Sequence, residues 1–96
     1  MAKITLHDWD ASKYLKSEED IKYYLEAVFN DGTAEEIAEA IGNVARARRV
    51  MGKIAKHAKV NFTSLYRSLS RDGTPYFRTI NHAVHSLGFR LSVTPA

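Results

Sequence analysis

The sequence predicts an all-α fold, and two observations predict it. Apolar residues recur at spacings of three and four through most of the chain, the period of one helical face. Between these segments stand residues that start or stop helices: Ser17, Thr33, Asn61, Pro75, Gly32 and Gly88. Cysteine is absent, which excludes a disulfide framework, a zinc-thiolate site and a thiol nucleophile. Ninety-six residues suit one domain that buries roughly 60–65% of the unfolded chain's surface. That domain divides into an N-terminal arm and helix (1–32), a core (33–88) and a C-terminal strand and tail (89–96).

Residues 1–10 read as extended, with Ile4 and Leu6 alternating against polar neighbours; Asp10 is placed to cap a short turn, and Trp9 to pack on the body. Ser17 opens the first long helix, whose face carries Ile21, Tyr24, Leu25, Val28 and Phe29; Asn30-Asp31-Gly32 stops it, glycine accepting the left-handed conformation of a helix end. Thr33 starts the second. Its hydroxyl is set to bond the amide of Glu36, whose carboxylate reaches back, a capping box. Ile37, Ile41, Val44, Ala45 and Arg48 share its stripe. A short helix over about 51–58 and another from Asn61 to about 69 follow. Pro75 suits the first position of a last helix lined by Phe77, Ile80, Ala83, Val84 and Leu87 and ended by Gly88. Phe89, Leu91 and Val93 then alternate with polar residues, the pattern of a short strand.

The net charge of +3 hides an asymmetry. Residues 1–42 hold four lysines against ten acids, a net of −6; residues 43–96 hold ten Lys or Arg against Asp72 alone, a net of +9. Such a contrast suggests partners of opposite sign, nucleic acid suiting the basic half.

The basic half contains, over 51–69, the requirements of a helix-turn-helix. Ala55 is small where two helices cross, Val60 is an apolar plug for the turn, and Leu65 and Leu69 are four apart on an inner face. The outer face is polar and basic: Asn61, Thr63, Ser64 and Arg67, with Arg71 beyond. Thr63 and Arg67 are the candidates for base contacts. Arg48, Arg49, Lys53, Lys59, Arg71 and Thr74 are the candidates for phosphate contacts. Tyr66 either touches the DNA backbone or packs against the last helix, and Tyr76 is placed to donate to a phosphate. A plain helical hairpin inside a bundle remains the alternative, because such motifs are short and degenerate.

The order of several segments adds to this. Tyr14-Leu15, Glu19-Asp20-Ile21 with Tyr24-Leu25, Ile41 through Arg48, Ile54-Ala55-Lys56, Ser64-Leu65-Tyr66, Leu69-Ser70 with Gly73 and Pro75, and Leu87 through Leu91 together resemble the addiction-module antidote proteins, over about 10–93. The resemblance implies a five-helix lambda-repressor-like fold, here with an N-terminal helical extension and a short C-terminal strand. It implies binding to the operon's own double-stranded operator and neutralisation of a RelE/ParE-type toxin. The chain departs from the family's pattern at Arg49-Val50 and Lys59, where glycine is usual, and at Gly52, where Ser or Thr is usual. The acidic residues Glu18, Glu19, Asp20, Glu35, Glu36 and Glu39 are then candidates to meet a basic toxin, although acids in first helical turns also satisfy the helix dipole.

One recognition helix reads few base pairs, so a homodimer on half-sites about 34 Å apart is expected. No apolar run approaches the roughly 20 residues of a membrane span, and a cytoplasmic protein without membrane contact is expected. His82 and His85 lack a third ligand, so no metal and no cofactor is expected; no phosphate loop or catalytic triad suggests an enzyme. The competing readings are a stand-alone phage-type or chromosomal regulator without a toxin, and an interaction module that has lost DNA binding.

Overall fold

The computed structural model describes residues 14–96. The expectations for residues 1–13, including the Ile4–Leu6 arm, Trp9 and the Asp10 cap, lie outside these. Among the described residues five helices follow one another: α1 Glu18–Asp31, α2 Ala34–Ala47, α3 Met51–Ala58, α4 Phe62–Ser68 and α5 Phe77–Ser86. None is long and apolar enough to cross a membrane.

Local chemistry sets the starts of the first two helices. Ser17 Oγ accepts the Asp20 amide at 3.0 Å. At α2 both halves of the capping box form: Thr33 Oγ1 accepts from the Glu36 amide at 3.1 Å, and Glu36 Oε1 accepts from the Thr33 amide at 2.9 Å. Gly32 corrects the expected reason for its presence. Its φ is −86°, not left-handed; glycine is needed because a Cβ would lie 2.6 Å from the Val28 carbonyl oxygen.

The ends of α2, α3 and α5 share one device. Val50 N–H reaches back to Ala45 O, Val60 N–H to Ala55 O, and Phe89 N–H to Val84 O, each at 3.0 to 3.1 Å. The residue before each of these donors has positive φ: Arg49 at 56°, Lys59 at 57° and Gly88 at 91°. These are Schellman-type caps, in which the left-handed residue lets the chain turn back on its own carbonyls. Only the third uses glycine. An L side chain in this region costs roughly 1–2 kcal/mol, partly offset by the extra chain entropy that glycine loses on folding. Lys59→Gly is therefore expected to gain about 0.5–1 kcal/mol, read as a melting temperature raised by a few degrees; a fall would show that the lysine side chain supports the cap.

The core consists of Ile21, Ile41, Val44, Ile54, Leu65 and Leu69, all almost fully buried, with Leu25, Met51 and Val84 around them. In α2 all eight residues from Ala38 to Ala45 are buried. It is the central post, against which α1 packs as do α3 and α5. This differs from the expected one-sided stripe. The small residues Ala38, Ala40, Gly42 and Ala45 are what allow neighbours so close.

Three further expectations are corrected. Phe77 does not line α5: it is 74% exposed, and Thr79 is buried in its turn instead. Pro75 stands before the helix, which is capped at Tyr76. No strand forms over 89–94 among the described residues. Phe89 and Leu91 do turn inward onto the core while Arg90 and Ser92 face out, but a ladder needs a second strand, and no described segment supplies one.

Candidate nucleic-acid interface

Helices α3 and α4 pack on one another, Ala55 and Ala58 of α3 are both buried, and the chain turns between the helices at Lys59. Asn61 caps α4 as expected: its Oδ1 accepts from the amides of Thr63 at 2.8 Å and Ser64 at 3.2 Å. That oxygen is therefore committed to the backbone. Val60 is no plug; it is 36% exposed. Ile54 and Ala55 of α3 and Leu65 of α4 belong to the buried core instead.

Leu65 and Leu69 hold α4 down, one within the helix and one at its C-cap. Thr63, Ser64 and Arg67 face outward on α4, and Arg49, Lys53, Lys59, Arg71 and Thr74 are exposed around it. Among the described residues none of Arg49, Lys53, Lys59, Arg67 or Arg71 forms an ion pair. Arg48 differs. It pairs with Glu18 of α1 at 3.0 Å, so its charge is directed to the acidic half. A pair this exposed contributes well under about 1 kcal/mol and is readily exchanged.

Two residues that the pattern of the sequence does not single out join the surface. Phe62, the first residue of α4, is 50% exposed, and its ring lies 6.1 Å from that of Tyr66, centroid to centroid. Arg46 of α2 places its guanidinium 5.1 Å from the centre of the Tyr66 ring. Tyr66, 44% exposed, is thus held by Phe62 and Arg46. The spacing of 62 and 66, four apart, was a legible signal for the first contact; the second needed the crossing of α2 over α4.

Arg46 is itself fixed from behind. Its Nη2 donates to Asn43 Oδ1 at 2.6 Å, and Asn43 Nδ2 donates to the Tyr24 hydroxyl at 3.3 Å. A polar line thus runs from α1 through α2 to α4. Burial pushes the Tyr24 pKa up; the Asn43 hydrogen bond opposes this, nearby Glu39 adds to it, and Arg46 opposes it. A folded-state pKa above the unfolded one means stability is intact below about pH 10 and falls as pH rises through the folded value. Tyr24→Phe is expected to flatten that alkaline decline in a denaturation series; an unchanged slope would assign the decline to other groups.

The acids divide. Glu18, Glu19, Asp20 and Glu35 are exposed, whereas Glu36 is half-buried and serves the capping box. Glu39 is only 6% exposed, and its Oε1 has no hydrogen-bond partner among the described residues. It is a core carboxyl beside Tyr24 and not the surface charge expected. His57 and His85 are exposed and His82 half-buried.

Comparison with known proteins gives the family. A family model described as "Probable addiction module antidote protein" matches residues 5–95. A protein of Haemophilus influenzae, described as uncharacterized, is 36% identical over 88 residues, which are 92% of this chain and 90% of that protein. No solved structure matches the chain.

Proposed function

The chain belongs to the family of addiction module antidote proteins, and from that membership we propose that it is the antitoxin of a type II module, repressing its own operon through a lambda-repressor-like helix-turn-helix formed by α3 and α4. The observation that carries this reading is the two-sidedness of α4: Leu65 and Leu69 beneath, Thr63 and Arg67 in open solvent, and unpaired cations around them. A helix so arranged fits a major groove, its first turn toward base edges and its flanking cations toward phosphates. A homodimer doubles the sequence read. The exposed acids of α1 suit a basic RelE/ParE-type toxin as the second partner.

The test is a salt-titrated shift assay on the upstream promoter region. Arg67→Ala is expected to lower affinity for the specific duplex by about ten- to a hundredfold, roughly 1–3 kcal/mol, and to relax preference at one position. Lys53→Ala should weaken specific and random duplex alike and reduce the salt slope by about one. No binding above that to random duplex at any salt concentration would refute the repressor reading. Failure to co-purify with the product of the neighbouring gene would refute the toxin partner.

A further inference from the structure

The outward surface of α4 is not wholly polar, and its exception is placed where bases would be read. Phe62 opens the helix directly after the Asn61 cap, half of its side chain in solvent. Its neighbour Tyr66 holds the ring from one side, and Arg46 braces Tyr66 in turn. Phe62 and Tyr66 share a shallow groove with Thr63, Arg67 and Ser70. An exposed, braced aromatic next to the candidate base-reading residues calls for an apolar partner, since water gains nothing from it.

We propose that Phe62 reads the 5-methyl group of a thymine in the major groove of the operator. This rests on the repressor reading above and names the ligand chemistry of that same surface. A phenyl ring has no donor or acceptor, so among base edges it can distinguish only the one apolar feature the major groove presents, the thymine methyl. Position supports the assignment, because the first turn of such a helix approaches base edges most closely. Charge supports it as well: Arg67 lines the same groove as the ring, Arg46 lies over the neighbouring Tyr66, and the basic half holds Asp72 as its only acid, a setting that attracts a polyanion. Arg46 and Tyr66 act as positioning residues that keep the ring from folding back onto the helix.

The experiment uses the full chain and duplexes selected by it from a randomised pool, with each thymine of the selected sequence replaced singly by deoxyuridine, which removes only the methyl. At one thymine in each half-site, the wild-type protein is expected to lose about fourfold in affinity, equivalent to about 0.8 kcal/mol for one methyl. Phe62→Ala should bind the thymine duplex more weakly and show no difference between thymine and deoxyuridine at that position, while keeping its preferences elsewhere. Circular dichroism of the variant checks that it folds. Arg46→Ala should halve the discrimination or better, without shifting the position read. Indifference of the wild type to every replacement overturns the proposal, as does an undiminished ratio in Phe62→Ala. Loss of self-association or of toxin capture in Phe62→Ala, with the ratio intact, would make the aromatic pair a protein contact and overturn it too. A pool that yields no enriched sequence overturns the repressor reading and this inference together.

Discussion

Gly42→Ala is expected to lower the melting temperature by roughly 12–24 °C or to abolish folding. A Cβ at residue 42 runs into the carbonyl oxygen of Leu69, with that carbonyl carbon at 3.0 Å and Arg46 Nη1 at 3.1 Å. The arginine end can move; the carbonyl cannot, because Leu69 is itself fully buried at the C-cap of α4. Relief requires α2 and α4 to separate, an overpacking that costs about 3 kcal/mol, and each kcal/mol moves the midpoint of a domain this size by about 4–8 °C. Gly52→Ala provides the internal control. Nothing lies within 4 Å of a Cβ there, and alanine favours a helix over glycine by about 0.5–1 kcal/mol, so the same chemical change should raise the midpoint. If both variants melted alike, backbone contact between α2 and α4 would not be what holds the second helix at its depth.

Leu65→Ala is expected to destabilise by about 3 kcal/mol, within the usual range for a buried leucine. Leu65 is the one buried residue within α4 itself, so its loss falls on the seven residues that carry the proposed reading surface. Binding to the specific duplex should fall even at temperatures where the other helices remain folded. Thermal unfolding read by circular dichroism, set beside a shift assay at 10 °C below the variant's own midpoint, separates the two effects. A midpoint within a few degrees of wild type would mean that Leu69 alone seats the helix. Thr63→Ala, on the open side, should leave stability within about 0.5 kcal/mol.

Local chemistry was the legible part of the fold. Ser17, the Thr33–Glu36 box, Asn61 and Gly88 act within four residues of themselves, so the chain's order of letters suffices to place them. The two leucines of α4 were legible for a similar reason, being one helical turn apart. What escaped depends on neighbours distant in sequence. Periodicity says which side of a helix is apolar and not how many sides are covered, so α2 read as one-sided although its small residues admit neighbours all round. Glu39 was misjudged with it. The apolar character of Phe77 and Val60 was plain, yet Phe77 is 74% exposed and Val60 36%. The alternation at Phe89–Val93 was real and correctly oriented at its first four residues; a strand, however, is a property of two segments. Arg46 over Tyr66 joins residues 20 apart, and no spacing within a single helix announces it.

The left-handed arginine and lysine at the two ends of α3 carry a consequence for how such a protein drifts over generations. Glycine at either position relaxes the main chain but deletes a cation beside the proposed duplex surface. The two effects answer to different surroundings: ionic strength weakens the electrostatic benefit, while torsional discomfort is indifferent to salt. In a saline interior, exchange to glycine becomes nearly free; in a dilute one, it trades away operator affinity. Residues 49 and 59 should therefore track the ionic habitat of the cell more closely than the core does.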